Sequence, residues 1–193
     1  IEACKALADI YSNYGSEEFS FDPLVCYGPN CAEPHHSSNN TPLSRGSAII
    51  IDIGCKFDGY CSDMTRSLFC GEPDEEYVKI YNLVYKANLE AIAAVKPGVK
   101  LCDIDRAARK VIEDGGYGQY FTHRTGHNIG IGEHEYPDVS SVNTMAAKEG
   151  MVFSIEPGIY LPGKYGVRIE DLVLVTKDGC EVLNNYPKEL AKL

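Results

Sequence analysis

The sequence has few basic side chains and no apolar run long enough to span a bilayer. Its 193 residues include 18 lysines and arginines against 28 aspartates and glutamates, which gives a formal net charge of −10. This deficit of positive charge argues against nucleic acid and anionic membranes as partners. The lack of a long apolar run argues against a membrane-spanning helix, and no signal peptide is recognisable.

The sequence also lacks any Cys-x-x-Cys motif, although it contains eight cysteines. Most of them lie within apolar strand or helix patterns, where a free thiol behaves as a small hydrophobic side chain. The even number of cysteines leaves a disulfide framework open. A chain of this length, however, can build a hydrophobic core without covalent crosslinks. We therefore expect free thiols and a cytoplasmic location.

A buried strand near residue 50 carries an acidic residue where an apolar one is expected. The β-branched and small residues from Ala48 to Ile51 predict a strand that is covered on both faces. Asp52 follows them directly. Because an unpaired carboxylate is costly to bury, Asp52 requires a cation or several hydrogen-bond donors.

A hairpin brings a second carboxylate to the same face of this sheet. The Asp-Gly pair at 58–59 is typical of a two-residue turn. Folding about that turn places Asp52 opposite Thr65 and Asp63 opposite Gly54, with space beside Asp63 because glycine has no side chain. The two aspartates are then diagonal neighbours, about 7–8 Å apart at the backbone. Two like charges at this spacing repel each other unless a multivalent cation lies between them.

The same pattern recurs at residues 150–171. Glu156 takes the place of Asp52, and Glu170 takes the place of Asp63. A turn centred on Gly163 puts Glu156 directly opposite Glu170. Two hairpins that each present a carboxylate pair on one face are hard to explain as solvated surface, so the repeat predicts a metal site.

Hydrophobic periodicity predicts a single domain, residues 1–193, made of two similar halves at about 1–70 and 74–178. The long second helix has no counterpart in the first half, and Ile1 is not a start residue. We therefore expect a fragment that lacks the first helix of its N-terminal half. The predicted elements are helices at 1–13, 74–96 and 103–115, a loop at 16–20, a strand at 21–27, hairpins at 47–69 and 151–178, a connection at 138–149 with a helical turn near Met145, and an irregular tail at 180–193 with a short helix.

Three histidines, His123, His127 and His134, lie within a dozen residues. The spacing of the first two would suit a helical metal site, but three glycines in the same stretch argue against a helix. We therefore place residues 121–136 on strand and loop. Imidazole is both a metal ligand and a hydrogen-bond donor to a developing oxyanion. His35 is a further, weaker candidate.

Five motifs in order resemble the pita-bread metallopeptidases, the methionine aminopeptidase and creatinase superfamily. They read IDIG, GYCSDMTR, HRTGHNIG with EHEYP, FSIEPGIY and GVRIED. The histidine motif and the short gap between the last two acids are most similar to the Xaa-Pro dipeptidase (prolidase) and aminopeptidase P branch. The resemblance covers roughly residue 20 to the end. It implies an α+β fold of two pseudo-symmetric αββ halves, with a curved antiparallel sheet covered by helices and without the N-terminal domain of that branch.

The resemblance also implies roles for the candidate residues. Glu156, His123 and His134 match catalytic residues, of which Glu156 moves protons and the histidines steady the tetrahedral intermediate. His35, His123, His134 and Arg168 match residues of the substrate pocket, Arg168 lying behind a ligand carboxylate. The metal ligands implied are Asp52, Asp63, His127, Glu156 and Glu170.

The implied activity is hydrolysis of Xaa-Pro bonds at the N-terminus of dipeptides or short peptides. Two divalent ions are expected, with Mn²⁺ first and Co²⁺, Fe²⁺ or Zn²⁺ as alternatives, since one imidazole among carboxylates suits these metals. Short proline-containing peptides and a homodimer are the expected partners. A methionine aminopeptidase-like enzyme is one alternative, although its wider separation of the last two acids is not seen. A non-catalytic peptide-binding module is another, although all five ligand positions are filled.

Overall fold

The computed structural model describes residues 1–16 and 18–193. The helices of this part of the chain are α1 (Glu2–Asn13), α2 (Glu75–Ala94) and α3 (Leu101–Asp114), with short 3₁₀ helices at Gly28–Ala32 and Gly118–Tyr120. The strands are β1 (Glu18–Phe19), β2 (Leu24–Tyr27), β3 (Ser47–Ile53), β4 (Cys55–Phe57), β5 (Tyr60–Cys61), β6 (Met64–Cys70), β7 (Gly126–Asn128), β8 (Glu135–Val139), β9 (Val152–Ile155), β10 (Gly158–Leu161), β11 (Tyr165–Arg168), β12 (Asp171–Val175), β13 (Cys180–Val182) and β14 (Ala191–Lys192). Within these ranges no helix is both long and apolar enough to cross a membrane.

Two sheets repeat the same strand arrangement. One has the order β14-β6-β3-β2 and the other the order β13-β12-β9-β7-β8. In each, three successive antiparallel neighbours, β2-β3-β6 and β7-β9-β12, form the centre. The sheets meet where the Glu170 N–H donates to the Thr65 carbonyl oxygen at 3.1 Å. The predicted α+β architecture with two similar halves is therefore confirmed.

The first hairpin has the predicted register. Asp52 lies opposite Thr65, and the same register continues through β4 and β5 to the turn. Asp58 and Gly59 both have positive φ, 49° and 77°, as a two-residue hairpin turn requires. Glycine at position 54 was predicted to leave space beside Asp63. The structure gives another reason for glycine there, because a Cβ would collide with the Ser62 carbonyl oxygen.

The second hairpin also has the predicted register. Ile155 pairs with Asp171 at one end, and Gly158 pairs with Arg168 at the other. Between these pairs the ladder is interrupted, and Glu156 and Glu170 face each other across the gap. Glu156, Glu170 and Asp63 therefore lie at breaks in the backbone pairing, whereas Asp52 lies within the β3–β6 ladder.

Helices α2 and α3 cover the sheets with the apolar stripes that the sequence predicts. Tyr77, Ile80 and Val84 of α2 are fully buried. Asp74 caps this helix by accepting a hydrogen bond from the Tyr77 N–H at 2.7 Å. All eight cysteines are free, as expected, and Cys31 lies in the same core.

The predicted start of the third helix, with Asp103 as its cap, was wrong. Helix α3 begins at Leu101, and the backbone N–H groups of Leu101 and Cys102 donate to the carbonyl oxygens of Met145 and Asn143. These tertiary acceptors replace a capping side chain. They also explain why the helical turn predicted near Met145 was wrong, because that segment is extended to supply the acceptors.

Two further predictions were wrong because a sheet edge was available. Residues 138–139, predicted as part of a connection, belong to β8, which pairs with β7. The short helix predicted in the tail is absent from the described residues, where β14 adds to β6 in parallel and β13 adds to β12. Backbone groups at a sheet edge are obligatory hydrogen-bonding partners, and pairing there outweighed local helix propensity.

We predict that Gly126→Ala destabilises the protein, because a Cβ at this position of β7 would collide with the Ser154 carbonyl oxygen of the neighbouring strand. The expected loss in free energy of unfolding is about 1–3 kcal/mol, measured by denaturant unfolding. Gly179→Ala is the matched control, since a Cβ there has no neighbour within 4 Å and should cost little. Equal stabilities of the two variants would contradict this explanation.

Candidate metal centre

One cavity of about 970 Å³ contains every candidate residue that the sequence analysis names. Its wall includes side chains from both hairpins, from β7 and from the loops that flank them. The nine candidates on this wall are His35, Asp52, Asp63, His123, His127, His134, Glu156, Arg168 and Glu170. The structure thus brings the predicted residues together, and their individual roles remain predictions.

Three of the predicted ligands form a compact donor set. One ligand atom each from Asp63, His127 and Glu170 lies within 4.8 Å of the other two, and all three residues are buried. The His127 Nδ1–H donates to the Asn128 carbonyl oxygen at 3.1 Å, so the neutral ring presents Nε2 as a lone pair. That nitrogen lies 3.5 Å from Asp63 Oδ2 and 3.6 Å from Glu156 Oε1. A lone pair facing two carboxylates fits a shared cation.

The aspartates of the first hairpin support the same conclusion. Asp52 Oδ1 and Asp63 Oδ1 are buried and have no hydrogen-bond partner among the described residues. A buried carboxylate oxygen without a partner loses its hydration and gains nothing in return. Divalent metal ions would supply the missing interaction, and oxygen donors with one imidazole suit them. The residues present therefore fit a metal group.

Arg168 holds Asp52 in place. Its Nη2 donates to Asp52 Oδ2 at 2.6 Å, its Nε to Thr65 Oγ1 at 3.1 Å, and its Nη1 to the Tyr160 hydroxyl at 2.8 Å and the Pro34 carbonyl oxygen. The side chain is only 4 % exposed. Most of its donors are committed to protein groups, so this geometry favours a positioning role behind the ligand carboxylate.

The glutamates of the second hairpin are also oriented by hydroxyl groups. Thr65 Oγ1 donates to Glu170 Oε2 at 2.7 Å, and Ser154 Oγ donates to Glu156 Oε1 at 3.2 Å. Thr65 therefore contacts a ligand of one hairpin while it lies opposite Asp52 of the other. Sequence reasoning placed Thr65 opposite Asp52 but missed its contact with Glu170, because a hairpin register gives only one partner.

Burial raises the proton affinity of the donor set. It raises the pKa of Asp63 to about 6 and the pKa of Glu156 to about 7, with His127 opposing both shifts. Burial and the nearby charges of Asp63 and Glu156 hold the pKa of Glu170 well above its usual range. Burial lowers the pKa of His127, but Asp63 and Glu156 outweigh that effect and the pKa is raised.

The two other histidines of the motif, His123 and His134, differ in how many of their ring nitrogens are hydrogen-bonded. His123 Nδ1 donates to the Arg124 carbonyl oxygen at 2.7 Å, and its Nε2 accepts from the Tyr160 hydroxyl at 2.9 Å. Both of its ring nitrogens are therefore engaged. His134 packs its ring 4.2 Å from that of His127, and its Nδ1 lies 3.3 Å from the Glu133 carboxylate. Burial lowers the pKa of both rings to about 4, so each is neutral at pH 7.

Two residues of the site, Tyr160 and Asn128, were not identified from the sequence. Tyr160 links Arg168 to His123 through its hydroxyl. The buried Asn128 amide donates to the Pro137 carbonyl oxygen and ties β7 to β8 beside the bulge that follows His127. His35, predicted from the sequence, is exposed. No local signal in the sequence identifies the contacts of Tyr160 or Asn128.

This fold and donor set resemble those of a metallopeptidase family. The model of metallopeptidase family M24 matches residues 1–177, and the chain belongs to that family. An uncharacterized peptidase of Staphylococcus aureus is 48 % identical over 187 residues, which are 97 % of this chain and 53 % of the relative. The chain thus spans about half the length of the curated relatives that it matches.

Solved structures confirm the predicted pita-bread fold. A prolidase from Thermococcus sibiricus is 43 % identical with a TM-score of 0.96, over 98 % of this chain and 52 % of that one. A Xaa-Pro dipeptidase from Bacillus anthracis is 38 % identical with a TM-score of 0.98, over 100 % and 54 %. An X-Pro aminopeptidase from Thermotoga maritima is 37 % identical with a TM-score of 0.97, over 100 % and 55 %.

We predict that the metal-free protein loses stability as the pH rises from 5 to 8. Asp63 and Glu156 have pKa values above the ordinary carboxyl value of about 4, so the fold binds protons that the unfolded chain has released. Their contribution is complete below about pH 4 and is lost as the pH passes through about 6 and 7. The raised pKa of His127 acts in the same direction.

The expected loss is on the order of 3 kcal/mol, measured by denaturant unfolding in the presence of a chelator. The variant Asp63→Asn/Glu156→Gln should show a flatter profile, because its amides do not titrate. Stability that rises over this pH range in the chelated wild type would refute the assignment.

Proposed function

We propose that this chain carries the two-metal centre of an exopeptidase that hydrolyses Xaa-Pro bonds in dipeptides or short peptides. The observation that carries the proposal is the approach of Asp63, His127 and Glu170 ligand atoms to within 4.8 Å of one another. Asp52 and Asp63 each have a buried carboxylate oxygen without a hydrogen-bond partner among the described residues, which supports a second ion in the site. The likeness to prolidases and Xaa-Pro peptidases supports the substrate class.

Five residues would hold the metals, namely Asp52, Asp63, His127, Glu156 and Glu170, with Mn²⁺ as the first candidate ion. When bound, such ions polarise a peptide carbonyl and make water a stronger acid. Ligand chemistry alone does not separate Mn²⁺ from Co²⁺, Fe²⁺ or Zn²⁺, so metal analysis belongs to the test.

Glu156 is the proposed proton carrier. Its carboxyl lies in the cavity wall beside the other proposed ligands, and in the metal-free protein burial raises its pKa to about 7. It would accept a proton from the attacking water and deliver it to the leaving proline nitrogen. The Ser154 hydroxyl orients this carboxylate through its bond to Oε1.

His134 is the better placed of the two histidines to contact the oxyanion, and it donates a hydrogen bond in the tautomer that carries the ring proton on Nε2. Its Nε2 makes no hydrogen bond within the described part of the chain, and its side chain is 53 % exposed. His123 would help by holding the Tyr160 hydroxyl, which in turn contacts Arg168. His35 and Arg168 complete the proposed substrate pocket.

The location and assembly of the protein are part of the same proposal. Eight free thiols support a reducing, cytoplasmic compartment. The homodimer remains a prediction. The chain accounts for only about half of its relatives' length, so a longer protein would supply the rest of the substrate entrance.

We predict that chelation abolishes hydrolysis of a Xaa-Pro dipeptide and that Mn²⁺ restores it. Glu156→Gln should lower kcat by about 100-fold or more, since it removes the proton carrier while preserving the side-chain shape. Asp22→Asn is the matched control, because Asp22 lines the same cavity but is exposed and is not a proposed ligand. Metal content should be measured for each variant.

Three outcomes would count against the proposal. A Glu156→Gln variant with wild-type kcat would exclude the proton role. Release of N-terminal methionine in preference to cleavage before proline would favour the methionine aminopeptidase alternative. A protein that binds proline peptides but takes up no metal would be a peptide-binding module.

A further inference from the structure

One acid in the cavity wall lies outside the proposed ligand set. Glu133 is in the loop between β7 and β8, lines the cavity, and has a side chain that is 32 % exposed. The neighbouring Glu135 differs, because it accepts a hydrogen bond from the Gly132 N–H at 2.8 Å and so stabilises the loop. Asp22, another acid of the wall, is exposed to solvent. Glu133 is thus a partly buried acid whose one polar contact within the described residues is with His134.

The His134 side chain lies between Glu133 and the proposed metal ligand His127. Glu133 Oε1 is 3.3 Å from His134 Nδ1, and the His134 ring packs 4.2 Å from the ring of His127. Glu133 therefore lies on the part of the cavity wall that adjoins the ligand set. Within the described residues, no lysine or arginine pairs with it.

The cations of the cavity wall leave Glu133 without an ion pair to lysine or arginine. Lys5, Arg124 and Arg168 all line the cavity, but within the described residues none of them forms an ion pair with Glu133. Arg168 does not reach Glu133, since its donors go to Asp52, Thr65, Tyr160 and Pro34. A carboxylate in a partly desolvated wall, with no cation beside it, attracts a cation from the ligand.

We propose that Glu133 recognises a cationic group on the substrate residue that precedes the scissile bond. This inference rests on the proposed Xaa-Pro peptidase activity and narrows its substrate class. The cation is an ammonium or guanidinium group, which donates charge-assisted hydrogen bonds to a carboxylate. It comes from a lysine or arginine side chain, or from the α-amino group that every N-terminal residue carries.

The test compares Lys-Pro with norleucyl-Pro, which has an apolar side chain of similar length. In the wild type we expect kcat/KM for Lys-Pro to be about tenfold higher, the value of one charge-assisted hydrogen bond. Glu133→Gln should bring the two substrates to equal kcat/KM, and Glu133→Lys should favour Asp-Pro instead. The control Asp22→Asn should keep the wild-type preference.

The outcomes separate the two sources of the cation. If Glu133→Gln lowers kcat/KM for Lys-Pro only, the lysine side chain is the source of the cation. If Glu133→Gln lowers kcat/KM equally for both substrates, the α-amino group is the source. Unchanged kcat/KM for both substrates in Glu133→Gln would overturn the inference.

Failure of the proposed activity would be recognised separately. A wild type that hydrolyses neither substrate would refute the peptidase function. In that case calorimetric binding of Lys-Pro and norleucyl-Pro to the Mn²⁺-treated wild type and to Glu133→Gln still decides the inference. Tighter binding of Lys-Pro that disappears with Gln supports it, and identical binding of both peptides by both proteins rejects it.

Discussion

Four carboxylates and one imidazole share the wall of a single cavity, and like charges so close together repel one another. Asp63 and Glu170 are nearly inaccessible to solvent, so water screens their repulsion poorly. Burial raises the pKa of Asp63 and Glu156, so the metal-free fold keeps protons on these carboxyl groups. The bound protons reduce the repulsion between the acids. Cations and protons compete for the same oxygens, so a site that attracts one attracts the other.

The scaffold behind the cavity must be rigid for these groups to stay together. Arg66 links the two hairpins there: it donates to the backbone oxygens of Thr65 and Glu170, and it forms an ion pair with the fully buried Asp171 at 2.8 Å. Lys188 adds a 2.7 Å contact to the same aspartate. A buried ion pair of this kind costs desolvation, but its many hydrogen bonds fix the relative position of the sheets. The rear network thus fixes the geometry, and the cavity carries the uncompensated charge.

The hairpins could be predicted from the sequence because their information is local. Turn residues at 58–59 and at Gly163 set the register, and register alone determines which acids face each other. The histidine ligand and the family followed from motifs that lie in strands or tight loops. Local periodicity also identified the helices that cover the sheets.

Other features could not be predicted, because partners distant in the chain determine them. Helix α3 begins early because acceptors near residue 145 are brought to its N-terminus. The tail becomes a strand because the edge of β6 is free to receive it. The bonds of Tyr160 with His123 and Arg168 join three segments, and no pattern within any one of them indicates the contact.

The positions of Glu133 and Glu135 show how one loop separates two uses of the same side chain. Glu135 begins β8, and its carboxylate accepts a hydrogen bond from the N–H of Gly132. This carboxylate therefore stabilises the loop. That bond holds the loop against the cavity and leaves Glu133 on the wall. Because this bond fixes the loop backbone, binding of a cation to Glu133 need not order the loop, which preserves the affinity gained from a single contact. The proposed selectivity for charge at this wall therefore depends on the Glu135 bond as well as on the Glu133 carboxylate.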